Sequence, residues 1–333
     1  MKRDYVRIAI VGLGKMGLLH ASILSTLPDV ELVGLCDKRR LIRRFCREMF
    51  GGAKLCARLE ELRSLDLGAV YVTTPIRSHF FITKAVYLNE IAENVFVEKT
   101  LSSSHDESKQ LCDLAKRHGG TNMVGYMKRF GVTFSKAKNL LNQETIGDIT
   151  SFEAYAYSSD FHGVKRNPDA SANRGGVLKD LGAHTIDLAL WYFGDLELTK
   201  DGAESISDTG SKDDVQFRVR TLNGEEGLFE VSWSKKGYRM PEFGLLIQGT
   251  EGYIKVNDDE VNLQLNNGRH SIWYRHDLND NVGFLLGSPE YYREDEHFIK
   301  AILGHHSAWP DFDTASKVDS MIQELQVRVG LDE

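Results

Sequence analysis

A glycine motif at residues 12–17 sets the tightest limit on the fold, because it directly follows an apolar run at residues 6–11 and begins a helical pattern. In such a motif Gly12 permits a tight turn, Gly14 lets a pyrophosphate approach the backbone, and Gly17 lets the helix pack on the strand. The free N–H groups of the helix N-terminus then face the phosphates. The sequence therefore predicts a dinucleotide-binding unit at its start.

Short apolar runs alternate with helical patterns over residues 1–125, which is typical of parallel strands joined by crossover helices. The runs predict strands at 6–11, 31–36, 69–73, 95–97 and 122–125. One helix begins at Lys15, and a later helix begins at a capping box formed by Ser104 and Glu107. We therefore predict an α/β domain over residues 1–125, with a doubly wound parallel sheet of the Rossmann type.

Beyond Gly147 the pattern changes to longer alternating runs separated by Gly and Asn turns, which is typical of antiparallel sheet. Helical patterns interrupt these runs at 177–193, 290–303 and 314–329. We predict a second, α+β domain over residues 126–333.

Composition excludes several functional classes. The chain has 41 Lys and Arg against 48 Asp and Glu, a net charge of −7, so it lacks the positive field that nucleic acid or an anionic membrane surface requires. No apolar run approaches the ~18 residues of a membrane span, and no export signal is evident. We expect a cytoplasmic protein without nucleic-acid or membrane partners. The 4 cysteines form no CxxC pair, so we expect no metal site.

Asp37 ends the second predicted strand twenty residues after Gly17, where an acidic side chain accepts hydrogen bonds from both adenosine ribose hydroxyls. This position favours NAD, because a carboxylate repels the extra phosphate of NADP. Lys38, Arg39 and Arg40 follow directly and could offset that repulsion, so NADP stays possible. A solvated helix start explains the same three basic residues.

Lys99 lies at the end of the fourth predicted strand, and the carboxyl ends of strands in an open α/β sheet are where ligands bind. Burial beside a positively charged nicotinamide ring would lower its pKa from about 10.4 and bring proton exchange nearer neutral pH. Lys99 could instead donate a hydrogen bond to a substrate oxygen, or pair with Glu98 at the surface.

Asp180 and His184 lie four residues apart at the start of an apolar helical pattern. If both are helical they share a face, so the carboxylate could orient the imidazole. Histidine, with an unperturbed pKa near 6.5, suits the removal of a hydroxyl proton from a carbinol group. An ordinary pair within a helix is the alternative interpretation.

Further motifs accompany the fingerprint along nearly the whole chain. They are Lys15-Met16 inside the fingerprint, Thr74-Pro75 with His79, Glu98-Lys99, Tyr126 with Arg129, and Gly175 to Asp187 with the pattern Gly-Gly-x-x-x-Asp-x-Gly-x-His-x-x-Asp. Together they resemble the glucose-fructose oxidoreductase and inositol dehydrogenase family. The resemblance implies an N-terminal Rossmann domain and a C-terminal α+β domain with a large, open, mostly antiparallel sheet. It also implies a homodimer or homotetramer formed through that sheet.

The resemblance assigns roles to individual residues. It implies catalytic roles for Lys99, Asp180 and His184. It implies cofactor contacts by Gly12, Gly14, Lys15, Met16, Gly17, Asp37, Thr74, Pro75, His79, Glu98 and Lys99. It implies substrate contacts by Tyr126, Arg129, Arg174, Asp180 and His184. The segment 157–174, with Asp160, His162, Lys165 and Arg166, is expected to shape substrate choice.

Two positions depart from the family pattern. Thr100 replaces the proline that usually follows the lysine, which removes a fixed φ beside Lys99. Ile76 replaces the asparagine that commonly follows Thr74-Pro75, which removes a polar side chain near the cofactor.

The resulting hypothesis is an NAD(P)-dependent oxidoreductase that transfers hydride between nicotinamide and a carbinol carbon of a sugar, cyclitol or sugar derivative. In this hypothesis His184 is the general base, Asp180 orients it, and Lys99 stabilises the developing alkoxide or carbonyl oxygen. The alternatives are a non-catalytic nucleotide or sugar sensor, an enzyme for an imine or trans-dihydrodiol, and an aldose-ketose redox enzyme that keeps its cofactor.

Overall fold

The computed structural model describes residues 5–160, 174–205, 213–280 and 288–330. The chain divides into two compact units. The first contains Met1–Tyr126 and Tyr291–Ser320, and the second contains Met127–Glu290 and Met321–Glu333. Residues 291–320, which follow the second sheet in sequence, thus group with the first unit.

A six-stranded parallel sheet forms the centre of the first unit, with strand order β3-β2-β1-β4-β5-β6. Its strands are β1 (Val6–Val11), β2 (Val30–Cys36), β3 (Lys54–Cys56), β4 (Ala69–Val72), β5 (Asn94–Glu98) and β6 (Asn122–Gly125). The predicted α/β fold with a parallel sheet is confirmed. The three-residue strand β3 is absent from the prediction, because it is too short to show a pattern.

Helices connect the strands and follow the sheets. They are α1 (Lys15–Leu24), α2 (Arg40–Met49), α3 (His79–Leu88), α4 (His105–His118), α5 (Val132–Asn142), α6 (Ala183–Phe193), α7 (Glu290–Ile302) and α8 (Phe312–Arg328). Ser104 caps α4 by accepting a hydrogen bond from the Glu107 N–H, as predicted. The return bond is displaced by one residue, because Glu107 accepts from the N–H of Ser103.

The inner strands of the first sheet are buried on both faces, as consecutive apolar residues predict. All four residues of β4 are buried, and so is nearly all of β1. Because the strands are parallel, the residues that follow β1, β2, β4 and β5 all leave the same edge of the sheet. This edge brings together the fingerprint, Asp37, Thr74 and Lys99.

An eight-stranded sheet forms the second unit, with strand order β14-β13-β12-β11-β7-β10-β9-β8. Its strands are β7 (Ile149–Tyr157), β8 (Leu196–Ser205), β9 (Asp214–Thr221), β10 (Glu226–Ser232), β11 (Glu242–Gly249), β12 (Gly252–Asn257), β13 (Glu260–Leu265) and β14 (His270–Tyr274). Neighbouring strands are antiparallel except β7 and β10, which are parallel. This confirms the predicted large, mostly antiparallel sheet.

The predicted helix at residues 177–193 is interrupted. Residues Leu178–Gly182 form one π-helical turn, and α6 begins only at Ala183. A π-turn adds one residue to the helical repeat, and the apolar spacing does not reveal such an insertion.

Candidate functional site

Two glycines of the fingerprint, Gly12 and Gly17, lie where a larger residue would be strained. Gly12 has a φ of +98°, in the region that glycine alone adopts easily. A Cβ on Gly17 would lie 1.9 Å from the carbonyl oxygen of Gly12. Gly14 differs, because a Cβ there would meet no atom within 4 Å, and no side chain caps the start of α1. The protein therefore leaves room at Gly14 for a phosphate to approach the N–H groups at the start of α1.

Asp37 directly follows β2 and joins the end of this strand to the fingerprint turn. Its Oδ2 accepts a hydrogen bond of 2.9 Å from the Leu13 N–H. Arg39 also holds this carboxylate, through Nε at 3.0 Å and Nη2 at 2.9 Å. Burial disfavours the charged form of Asp37, but the hydrogen bonds from Arg39 and Leu13 outweigh it and lower its pKa. Asp37 is thus an ionised acceptor at the position predicted for ribose recognition.

Thr74 and Pro75 follow β4, and His79 lies one helical turn further. The Thr73 hydroxyl donates to the Gly12 carbonyl at 2.6 Å, which joins this loop to the fingerprint. His79 is buried, with Nε2 2.6 Å from the Thr74 carbonyl and Nδ1 2.7 Å from the Thr100 carbonyl. His79 therefore connects the loop after β4 to the loop after β5.

Lys99 follows β5 directly, at the same sheet edge as the fingerprint. Its backbone N–H donates to Oε2 of Glu98 at 3.0 Å. The other carboxylate oxygen, Oε1, lies 2.9 Å from Nε2 of His20, a buried residue of α1. Glu98 is thus itself buried, with its carboxylate bound within the protein.

The second unit contains the remaining predicted residues. Oδ2 of Asp180 accepts a 3.1 Å hydrogen bond from the Trp233 indole and lies 3.5 Å from Nε of Arg174. Arg174 also pairs with Asp160 at 2.6 Å. His184, in the first turn of α6, is buried with its ring 5.1 Å from that of Phe243.

Tyr126 and Arg129, predicted as substrate contacts, are both buried. Arg129 forms a two-pronged ion pair with Asp187 of α6, through Nε at 2.8 Å and Nη2 at 2.7 Å. Both partners lie in the second unit. This pair anchors α6, the helix that carries His184.

Each unit gathers its own predicted residues. The first unit holds the fingerprint, Asp37, Thr74, Pro75, His79, Glu98 and Lys99, and the second holds Arg129, Arg174, Asp180 and His184. His162, Lys165 and Arg166 lie outside the described residues.

Sequence reasoning missed three contributors to these clusters, namely His20, Asp295 and Trp233. His20 lies three residues after Gly17 on the helix of the fingerprint, which is the only sequence signal for it. Asp295 contacts His20 from 275 residues away, and no local pattern predicts such a pair.

The described parts of the chain contain neither a candidate membrane span nor a candidate metal site. No helix there has the length and apolar character of a membrane span. No group of three or more His, Cys, Asp or Glu side chains there could hold a metal ion.

Comparisons with known proteins agree with this architecture. The model of an oxidoreductase family with an NAD-binding Rossmann fold, GFO/IDH/MocA, matches residues 6–126, and that of the GFO/IDH/MocA C-terminal domain matches residues 134–255. D-glucoside 3-dehydrogenase of Escherichia coli (strain K12) is 26% identical over 98% of this chain and 94% of that protein. Inositol 2-dehydrogenase of Rhizobium meliloti (strain 1021) is 24% identical over 89% and 88%, respectively.

Among solved structures, a levoglucosan dehydrogenase in complex with NADH and levoglucosan superimposes with a TM-score of 0.84. The two proteins are 20% identical, and the match covers 98% of this chain and 97% of that one. At this identity the likeness shows a shared fold.

Proposed function

The chain belongs to the GFO/IDH/MocA family of NAD-binding oxidoreductases, and on that basis we propose that it oxidises a secondary alcohol of a sugar or cyclitol. The observation that carries this proposal is the position of Lys99, which follows β5 at the sheet edge that also bears the turn of the glycine fingerprint. The inositol and glucoside dehydrogenases among its relatives support the substrate class.

The cofactor is NAD, which when bound accepts a hydride from the alcohol carbon. Its pyrophosphate binds at the turn around Gly14 and at the N-terminus of α1. Asp37 binds the adenosine ribose. Lys15, Met16, Thr74 and Pro75 border the same turn or the adjoining loop and complete the proposed contacts. His79 and Glu98 support this region through their bonds to backbone groups.

The chain's own side chains move the proton. His184 takes the proton of the reacting hydroxyl group, because a neutral imidazole is a suitable base near neutral pH. Asp180, whose carboxylate is held by Trp233 and Arg174, orients that base. Lys99 donates a hydrogen bond to the oxygen as it becomes a carbonyl. Arg129 holds α6 through its ion pair with Asp187.

A test follows nicotinamide absorbance while the purified protein is given NAD or NADP with inositols, aldoses, sugar acids and sugar nucleotides. Wild-type turnover, with Lys99→Met at least about a thousandfold slower and its NAD affinity retained, would support the proposal. NAD binding without turnover of any compound would overturn it in favour of a sensor. The protein could instead retain one cofactor per chain through purification. If an aldose then reduces this cofactor and a ketose reoxidises it, the result would favour an enzyme with a permanently held cofactor.

The proposal extends to assembly and location. The outward face of the eight-stranded sheet carries half-buried Tyr155, Leu228 and Leu246 around the exposed Glu153. Such a mixed face suits a homodimer or homotetramer, which light scattering would detect. The cytoplasmic location stays a prediction from the sequence.

A further inference from the structure

Behind Lys99, a buried network connects three elements of the first unit. His20 of α1 and Asp295 of α7 have no exposed surface, and Glu98 of β5 has 7%. Nδ1 of His20 lies 2.8 Å from Oδ1 of Asp295, and its Nε2 lies 2.9 Å from Oε1 of Glu98. Both ring nitrogens therefore face carboxylates, which is the arrangement of a doubly protonated imidazolium that donates two hydrogen bonds.

This arrangement determines the charge of His20. Burial alone would lower its pKa, but Asp295 and Glu98 together outweigh burial and raise it well above 6.5. A buried carboxylate pair around one cation is stable only when every member is held by hydrogen bonds. The imidazolium thus holds the Glu98 carboxylate in one orientation through Nε2.

The Glu98 carboxylate also holds the backbone of the next residue, Lys99. Its Oε2, the oxygen that does not face His20, accepts the N–H of Lys99 at 3.0 Å. Gly125 of the neighbouring strand leaves room for the carboxylate, since a Cβ there would lie 3.3 Å from Oε2. On the other side of Lys99, the Thr100 carbonyl lies 2.7 Å from His79. The backbone is thus held both before and after the lysine.

We propose that His20 and Asp295 are positioning residues for Lys99, acting through the Glu98 carboxylate. The inference rests on the proposed function, in which Lys99 contacts the reacting oxygen. It assigns a function to residues 291–320, because α7 supplies Asp295 to the network. It also explains how Lys99 can be oriented although Thr100 replaces the proline, since the Glu98 carboxylate accepts from the Lys99 N–H and His79 contacts the Thr100 carbonyl.

Amide hydrogen exchange tests the structural half of the proposal without any substrate. His20→Gln should speed exchange of the Lys99 amide at least about tenfold, because Glu98 loses the partner that orients it. The amides of Ile8 and Ile10 in β1 report the stability of the whole unit, so the Lys99 amide should speed up at least about tenfold more than they do. Asp295→Asn keeps the shape of the side chain and one oxygen that accepts from His20. It should therefore speed exchange of the Lys99 amide less than His20→Gln does. An unchanged Lys99 amide rate in a folded His20→Gln protein would overturn the inference.

A double-mutant cycle tests the catalytic half. His20→Gln should lower kcat at least about thirtyfold while NAD affinity stays within about threefold of wild type. In a Lys99→Met background the same change should have almost no further effect, because the residue that it positions is gone. Multiplicative losses would overturn the inference and leave His20 a purely structural residue. A near-normal rate for Lys99→Met alone would instead contradict the proposed function.

His118→Gln is the matched control, at a half-buried histidine stacked on Tyr87. It should change neither the exchange rate of the Lys99 amide nor kcat.

Discussion

At the residue scale, two glycines of the same motif have different physical roles. A Cβ on Gly17 would collide with the Gly12 carbonyl at 1.9 Å, whereas a Cβ on Gly14 would meet no protein atom within 4 Å. Gly14→Ala should therefore keep the wild-type melting temperature and raise the Kd for NAD at least about tenfold, or about 1.4 kcal/mol. Gly17→Ala should lower the free energy of unfolding by about 3 kcal/mol.

Gly52→Ala is the control for Gly14, because a Cβ at Gly52 also meets no atom within 4 Å. Calorimetry would give the Kd, and urea unfolding would give the stability. Unchanged NAD affinity in Gly14→Ala would show that the phosphates do not approach the turn at this residue.

The choice between NAD and NADP is also decided by individual residues. Arg39 is occupied by Asp37, yet about half of its side chain is exposed. Asp37→Ser should remove the charge that repels the extra phosphate and free the guanidinium to bind it. We expect the ratio of kcat/KM for NADP over NAD to rise at least about tenfold. The further change Arg39→Gln should reverse this gain, and an equal loss with both cofactors would contradict the assignment of Arg39.

The sequence predicts the positions of residues that lie at the ends of strands, while their roles stay predictions. The fingerprint glycines, Asp37 and Lys99 are placed by the ends of strands, and strand ends are visible as apolar runs. His20 and Asp295 could not be found in this way, because their roles depend on each other across 275 positions. For Arg129 the sequence identifies the residue but not its partner, since its motif does not reveal that the guanidinium binds Asp187.

At the scale of elements, the ion pair between Arg129 and Asp187 joins α6 to the 3₁₀ turn at Met127–Phe130. Removing one partner of a buried pair leaves the other charge uncompensated, which costs about 3–5 kcal/mol. Asp187→Asn should therefore lower the free energy of unfolding by about 3 kcal/mol. It should also reduce kcat, because α6 carries His184.

The pair formed by Arg220 and Glu226 is a suitable comparison, since it has a similar distance, 3.0 Å, and both side chains are exposed. Breaking it with Arg220→Gln should change stability by less than about 1 kcal/mol. Denaturant titration of the two variants measures the difference. Equal effects would mean that burial adds nothing to the Arg129 pair.

Element prediction succeeded where a periodic pattern is long. The five predicted strands of the first sheet and the two C-terminal helices begin and end within two residues of their predicted bounds. The π-turn at Leu178–Gly182 was not predicted, and it changes the register between Asp180 and His184. Their orientation relative to each other therefore stays a prediction, to be tested by the kinetics of Asp180→Asn.

At the scale of the whole chain, the first unit is built from both ends of the sequence. Residues 291–320 belong to the unit that begins at the N-terminus, and His20 with Asp295 lies where they meet. The periodicity of α7 predicts a helix but contains no signal for the sheet on which it packs. A buried ionic contact of this kind makes the stability of the unit depend on pH.

The direction of that dependence follows from the raised pKa of His20. The folded state binds the proton more tightly than the unfolded state, in which the pKa is near 6.5. The stabilisation is therefore complete below pH 6.5 and is lost as pH rises through the folded pKa. The titratable groups shown to face His20 are Glu98 of β5, Tyr71 of β4, and Tyr291 and Asp295 of α7. Because the two tyrosines are neutral, the two carboxylates determine the direction of the shift in the pKa of His20.

Melting temperatures at pH 6.5 and pH 9 measure this contribution. Wild type should lose stability between the two values, and His20→Gln should lose less, because it has no proton to release at this position. The variant should also be less stable than wild type at pH 6.5, where the imidazolium compensates two buried carboxylates. Since the imidazolium also orients Glu98, the same deprotonation should speed exchange of the Lys99 amide beyond its normal dependence on pH. A parallel pH dependence of melting in wild type and His20→Gln would show that the proton is not held at His20, and the charge assigned to the network would then be wrong.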